Sequence, residues 1–129
     1  MRASLLAAAC VTSLLGWLEL ATAHHSPAVF DRSRELRVEG VVKEFKWGMP
    51  HSWIQLDVTE ENGSVATWGI EMNPASTLVK RGWRASTLKP GDKVSVLVYP
   101  LRNDEKGGQY ISITLPDGKV LTERDDGVI

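Results

Sequence analysis

Hydrophobic and polar residues alternate along most of the chain after residue 34, which is the pattern of β-strands with one buried face. In the segment 35–47 this alternation breaks at Val41 and Val42, beside Gly40, and then resumes at Phe45. A change of face next to a glycine is typical of a bulge or a strong bend. We therefore predict a long, bent first strand. Its first inward residues are expected to be Leu36, Val38 and Gly40.

Four further segments alternate in the same way, and turn sequences separate them. Asn62-Gly63 is a strong hairpin signal, and Pro90-Gly91 is a second turn. The predicted strands are 52–59, 65–72, 93–99 and 109–115, and "KVL" at 119–121 can add a short sixth pairing. Their expected inward residues are Ile54, Leu56, Val58, Trp68, Ile70, Met72, Val94, Val96, Val98, Ile111, Ile113 and Leu115.

One helix is predicted between the third and fourth strands. Asn73 suits the N-cap, Pro74 suits the first helical position, and Gly82 can end the helix in a left-handed conformation. We expect Leu78 and Val79 to dock on the sheet. The order β-β-β-α-β-β predicts a mainly β chain, a small five-stranded OB-like barrel with its short helix between strands 3 and 4. An open β-sandwich is the alternative.

The N-terminus has the pattern of a secretory signal peptide. Arg2 precedes an apolar run over 3–18, and Ala21 and Ala23 occupy the −3 and −1 positions of an A-x-A cleavage site. The run is shorter than the ~20 residues that a spanning helix needs. We therefore predict a bacterial periplasmic or secreted protein with no stable membrane anchor after cleavage. A retained anchor and lipidation at Cys10 are the alternatives.

Cleavage after Ala23 would remove the only cysteine, which excludes disulfides and thiolate chemistry from the exported chain. The predicted divisions are a signal peptide over 1–23, an extended N-terminal arm over 24–34, the barrel over 35–122 and a polar tail over 123–129. The chain has 15 Lys and Arg residues against 16 Asp and Glu residues. Because nucleic-acid binders normally carry a basic excess, nucleic acid is not a predicted partner.

The three histidines are the candidate metal ligands. After cleavage, His24 would carry a free α-amine beside its imidazole, and two such nitrogens can chelate Cu(II). His51, in the turn between the first two strands, would add a third nitrogen to form a histidine brace. His25 is its substitute or a fourth ligand, and Met49 offers a sulfur atom suited to Cu(I). Copper, or another transition metal, is therefore the candidate cofactor, and the alternative is that the protein has none. The alternative is that the histidines have structural, incidental or pH-sensing roles.

Tryptophans are the second candidate feature. Trp47 and Trp53 flank the turn that contains His51, and together they can form an aromatic wall that binds a sugar, a peptide or a lipid fragment. This predicts an unidentified small ligand or protein partner. The alternative is that Phe30 of the arm covers Trp53 and that Trp83 packs under the end of the helix.

Catalytic residues are not predicted. Ser26 beside His25 and Ser52 beside His51 are neighbours in sequence rather than a triad, and Glu71 is expected on the outer face of its strand with no acid partner. These observations favour a binding protein over an enzyme. A copper oxidoreductase is the weaker alternative, since histidine braces can activate oxygen.

Several segments also carry a family resemblance. The stretches "AHHSPAVFD", "GVVKEFKWGMPHSWIQLDV", "LVKRGW", "LKPGDKVSV" and "PDGKVL" resemble a family of small exported bacterial proteins of uncharacterised function. Members of that family typically have "NPH" where this chain has Met49-Pro50-His51, so any ligand-orienting role of the Asn is missing here. The resemblance implies an exported protein and a fold, but no activity.

Overall fold

The computed structural model of the protein describes residues 27–125. Within these residues the chain order is a short 3-10 helix, three strands, one α-helix and three strands. Their bounds are Pro27–Val29 for the 3-10 helix, then β1 Leu36–Lys46, β2 Trp53–Thr59, β3 Val65–Glu71, α1 Ala75–Lys80, β4 Lys93–Pro100, β5 Gly107–Thr114 and β6 Val120–Thr122. The predicted order, including the short sixth strand, is confirmed.

The sheet closes into a barrel. Its strand order is β3-β2-β1-β4-β5-β6, and a parallel pairing of β3 with β5 closes the first five strands into a ring. β1 contributes to both halves, because its start pairs with β4 and its end pairs with β2. The register shift between Val42 and Glu44 supplies the predicted bend. The fold is therefore OB-like, and the open sandwich is excluded.

Glycines make the closure possible. Gly69 and Gly107 are partners in the parallel pairing, and a Cβ atom on Gly107 would lie 2.8 Å from the Gly69 carbonyl oxygen. A Cβ atom on Gly108 would lie 2.7 Å from the Tyr99 carbonyl oxygen. Real Cβ atoms do not approach backbone oxygens this closely, so the strands meet here only because Gly107 and Gly108 have no side chain.

Most of the predicted inward residues form the core. Those that are buried are Val38, Ile54, Leu56, Trp68, Ile70, Met72, Val94, Val96, Val98 and Ile113. Val58 and Leu115 are partly buried against this core. Leu36 is exposed, because it lies at the outer end of β1, so its predicted inward position is wrong.

β5 departs from simple alternation. Leu97 pairs with Ser112 but Val98 pairs with Tyr110, so Ile111 is an extra residue in the strand. As a result Tyr110 joins the main core cluster, while the predicted Ile111 is buried outside that cluster. Burial raises the pKa of Tyr110 well above its usual value, so the hydroxyl stays neutral and donates a hydrogen bond to the Leu121 carbonyl oxygen at 2.9 Å.

We expect Tyr110→Phe to lower the free energy of unfolding by roughly 1–2 kcal/mol, because it removes the buried hydrogen bond from the Tyr110 hydroxyl to the Leu121 carbonyl oxygen. Urea denaturation would measure the change. Tyr99→Phe is the matched control, since Tyr99 is only half-buried, and it should cost less than about 0.5 kcal/mol. Equal costs for the two substitutions would contradict the assignment.

The helix differs in detail from the prediction. Pro74 precedes the first helical residue, Ala75, and no side chain caps the helix; Asn73 instead donates its Nδ2 hydrogen to Glu123 Oε2 at 3.0 Å. Leu78 is fully buried as expected, but Val79 is exposed. Neighbouring residues on a helix point about 100° apart, so a helix of this length docks one of them and not both.

The turns follow the prediction closely. Gly63, Gly82 and Gly91 all have positive φ angles, as the hairpin, the helix stop and the turn before β4 require. Gly82 lets the chain leave α1 so that Trp83, which is fully buried, can pack beneath the helix end.

Candidate functional site

The turn between β1 and β2 is held against the start of the helix. The carbonyl oxygen of Gly48 accepts a hydrogen bond from the amide of Ala75 at 3.0 Å. The hydroxyl of Ser52, which is fully buried, accepts one from the amide of Gly48 at 3.1 Å, and the Ser52 amide donates to the carbonyl of Asn73 at 3.3 Å. These bonds place His51 beside the end of β3.

His51 is oriented by two oxygen atoms. Its Nδ1 lies 3.1 Å from the Met72 carbonyl oxygen and 3.5 Å from Glu71 Oε1. A carbonyl oxygen can only accept a hydrogen bond, so Nδ1 carries the proton. In the neutral ring this leaves the lone pair on Nε2, and the side chain is 38% exposed. His51 therefore presents an oriented nitrogen ligand at the surface.

Glu71 is the residue that sequence reasoning missed. It lies on the outer face of β3, as predicted, but it is only 5% exposed, and its carboxylate contacts His51. Its second oxygen, Oε2, is buried and accepts no hydrogen bond from residues 27–125. Strand alternation cannot reveal this burial. The sequence feature that could have indicated this burial is the apolar pair Val29 and Phe30, because this part of the arm lies outside the barrel beside Glu71.

The described part of the arm is attached to the loop between β4 and β5. Phe30 forms a bridge with Leu101 and is almost fully buried. The Asp31 amide donates to the Pro100 carbonyl oxygen at 2.8 Å, and the Arg102 amide donates to the Val29 carbonyl oxygen at 2.9 Å. The arm is thereby fixed along its last residues.

Asp31 stabilises the polar connection from the arm to β1. Its carboxylate accepts hydrogen bonds from the Ser33 hydroxyl at 2.6 Å and from Arg34 Nε at 2.9 Å. The Ser33 hydroxyl and the Arg34 guanidinium hold the pKa of Asp31 at about 2. The carboxylate therefore stays ionised, and the connection stays intact, across the neutral and mildly acidic range.

A cavity of about 270 Å³ lies between the arm and the barrel. We call it the arm cavity. The residues that matter most for its chemistry are Val29, Phe30, Trp53, Glu71, Leu101 and Glu105. Trp53 and Glu71 are directly paired across β2 and β3, so the cavity begins immediately beside the contact between Glu71 and His51.

The two candidate tryptophans have different surroundings. Trp53 is half-buried and lines the arm cavity together with Phe30. Trp47 packs edge-on against Phe45, with ring centroids 5.8 Å apart, and is partly buried against the core. Trp83 is fully buried between Phe45 and Tyr110, with ring-centroid distances of 5.7 Å and 5.5 Å respectively. This agrees with the alternative prediction, in which Trp83 packs under the end of the helix.

The remaining candidate ligands are only partly described. Met49 is 67% exposed, and its sulfur accepts a long hydrogen bond from the Ser76 hydroxyl at 3.8 Å. His24 and His25 lie outside the described residues. Within residues 27–125, no three His, Cys, Asp or Glu side chains form a group that could hold a metal ion. A site with three such ligands that included His51 would therefore draw on residues outside this range.

The closed ring of strands defines a small OB-like β-barrel, with an oriented histidine and a cavity along one side. The chain belongs to the family of unknown function DUF6152, whose family model matches residues 13–110. Among solved structures, one match is the mitochondrial single-stranded DNA binding protein Rim1 from S. cerevisiae, at 12% identity and a TM-score of 0.49, covering 64% of this chain and 92% of that one. No curated protein matches the chain.

The described helices are short. Between residues 27 and 125 there is no helix with the length and apolar character needed to cross a membrane.

Proposed function

We propose that this protein is an exported binding protein for a transition metal ion, and that copper is the first candidate for this ion. His51 would supply a ligand held by the barrel, and His24 would supply its imidazole and the α-amine created by cleavage after Ala23. His25 would substitute for one of these ligands or add a fourth, and Met49 would favour Cu(I). The site would lie where the arm approaches the β1–β2 turn.

The observation that carries the proposal is the orientation of the His51 ring. Histidines that bind metals typically donate their other ring N–H to a carbonyl or carboxylate oxygen, which fixes the ring and its tautomer. His51 has both kinds of oxygen beside Nδ1, from Met72 and Glu71, and its Nε2 is left for a ligand. Imidazole nitrogen suits Cu(II), which has the highest affinity in the divalent series.

The length of the arm is sufficient to bring the two parts together. Val29 lines the same cavity as Glu71, whose carboxylate lies 3.5 Å from the His51 ring. His24 precedes Val29 by five positions in the sequence, and five extended residues span about 17 Å. This reach supports a site that combines His24 with His51.

The arm cavity favours a second candidate function, the binding of a small ligand against Trp53. Trp53 and Phe30 contribute aromatic surface to a partly open cavity beside the barrel. This function requires no metal and uses the cavity rather than His51 Nε2, so the two functions can be measured separately. Trp47 is not among the described residues that line this cavity, since it packs against Phe45.

Titration of the chain that begins at His24 with Cu(II) tests the metal proposal. We expect sub-micromolar affinity by calorimetry, and we expect His51→Ala to weaken binding by about 10-fold or more, since one nitrogen ligand is lost. Electron paramagnetic resonance of the copper should report one fewer coordinated nitrogen. Gln55→Ala, a change on the outer face of β2, is the control and should leave the affinity unaltered. Identical binding by the His51→Ala protein would contradict the three-nitrogen site.

The processed N-terminus is tested separately. Intact-mass analysis of protein exported from a bacterial host is expected to give a chain starting at His24. Any other start would remove the proposed amine ligand.

A further inference from the structure

We propose that the arm cavity binds a small organic ammonium ion, with Glu71 as the counter-charge and with Phe30 and Trp53 as aromatic walls. This site is distinct from the metal site on His51 Nε2, and it requires neither copper nor the α-amine of His24.

The lining of the cavity selects for positive charge. Two of its residues, Glu71 and Glu105, carry carboxylates, and among the lining residues within 27–125 none is Lys, Arg or His. Two others, Phe30 and Trp53, are aromatic, and the faces of aromatic rings attract cations. An anionic ligand would meet two like charges, and a neutral ligand would leave the carboxylates uncompensated.

Glu71 is the strongest indication that something is bound. Its side chain is 6% exposed, Oε1 faces His51, and Oε2 is buried with no hydrogen-bond partner among residues 27–125. Buried polar atoms in proteins are nearly always hydrogen-bonded, and a buried carboxylate is normally paired with a positive charge. An ammonium ion in the adjacent cavity would supply that missing charge.

The apolar share of the lining distinguishes an organic cation from a bare metal ion. Hard cations such as Ca²⁺ and Mg²⁺ require six or more oxygen ligands, including retained waters. Here Val29, Phe30, Trp53 and Leu101 occupy much of the wall, and such surfaces suit methyl or methylene groups. The volume of about 270 Å³ is at the lower limit for ligand sites, so the ligand should be an ammonium head group with a few carbon atoms.

The test is calorimetric titration of the chain 24–129, freed of metal by a chelator, with choline and tetramethylammonium as probes. The uncharged analogue of choline, 3,3-dimethylbutan-1-ol, has the same shape without the charge. We expect both ammonium probes to bind at least about 10-fold more tightly than the alcohol, because only they interact with the carboxylates and the ring faces. Equal binding of choline and the alcohol, or no binding of any probe at millimolar concentration, would overturn the proposal.

Glu71→Gln is the decisive variant, because it removes the charge and keeps the shape. It should weaken choline binding by about 10-fold and leave binding of the alcohol unaltered. Glu39→Gln is the matched control: it makes the same change of charge at an exposed position on β1, outside the cavity, and should have no effect. An equal loss in both variants would indicate a general effect of net charge and would overturn the proposal.

Glu105→Gln is a second variant, for the case in which Glu71→Gln fails to fold. Glu105 is exposed, so the substitution should leave the fold intact and should weaken choline binding by about 2-fold. Tight choline binding only after acetylation of the α-amine would identify the N-terminus of the chain as the normal occupant, and would overturn the proposal. Copper titration of the unsubstituted chain reports on the metal site separately: absence of copper binding with choline binding intact contradicts only the proposed metal site.

Discussion

Gly108→Ala should destabilise the protein by about 3 kcal/mol, because the added methyl group has no room where the barrel closes. Its Cβ atom would lie 2.7 Å from the Tyr99 carbonyl oxygen and 2.8 Å from a methyl carbon of Val98. Both atoms belong to β4, which pairs with β5 at this point. The strain can be relieved by moving β5 away from β4. That movement weakens the pairing of β4 with β5, which is part of the closed ring.

Gly69→Ala is the matched control, since Gly69 lies in the same closure but an added Cβ atom there would have no neighbour within 4 Å. It should change the free energy of unfolding by under about 1 kcal/mol, the cost or gain of a backbone change that fits its surroundings. Urea denaturation of both variants measures the difference. If both alanines were tolerated equally, close approach of the backbone would not be the reason for the glycine at position 108.

Blocking the α-amine of His24 should lower Cu(II) affinity by about 100-fold, because an acetylated nitrogen is no longer a metal ligand. The amine of a chain that begins at His24 can be acetylated selectively near neutral pH, since an α-amine has a pKa of about 8 and lysine about 10.4. Acetylation also avoids adding residues before His24, which would create a new N-terminal copper motif. Calorimetry on the blocked and unblocked chains gives the loss.

The same modification on the His51→Ala protein decides whether the two histidines share one ion. If they do, acetylation and His51→Ala should be strongly non-additive, because each removes a ligand of the same site. Independent, additive losses would place the N-terminal nitrogens in a copper site of their own. His51 would then have another role.

Local sequence signals predicted most of the barrel. Strand alternation located the core residues of β2, β3 and β4, and glycines at positions 63, 82 and 91 marked turns that require positive φ angles. These features depend on residues close in sequence, which is why a single sequence reveals them. The bend in β1 was also visible, because a bulge interrupts the alternation that it displaces.

Features that depend on distant residues were predicted less well. Asn73 has the right chemistry for a helix cap, but its side chain instead donates a hydrogen bond to Glu123, fifty residues away. In β5, alternation alone could not distinguish Tyr110 from Ile111, since the choice depends on the register with β4. The closing glycines were not identified, because their role appears only when β3 and β5 are adjacent.

The candidate site also combines features that local sequence predicts with features that depend on distant residues. The position of His51 in an accessible turn followed from sequence. The oxygens beside its ring come from Glu71 and Met72, which follow in the chain after the β2–β3 hairpin returns to the same place. Burial of Glu71 depends on the arm lying outside β3, which no strand pattern indicates. The metal prediction therefore follows from local sequence, whereas the arm cavity depends on contacts between residues distant in sequence.

The double pairing of β1 has a kinetic consequence. Its first half pairs with β4 and its second half with β2. The first strand to be synthesised therefore obtains its full pairing only when residues up to position 98 are in place. A polypeptide must lose much of its chain entropy before such distant contacts form, and barrels of this kind typically fold in milliseconds to seconds. Until β4 arrives, one edge of β1 is open to pairing with other chains, which makes the unfinished chain vulnerable to aggregation.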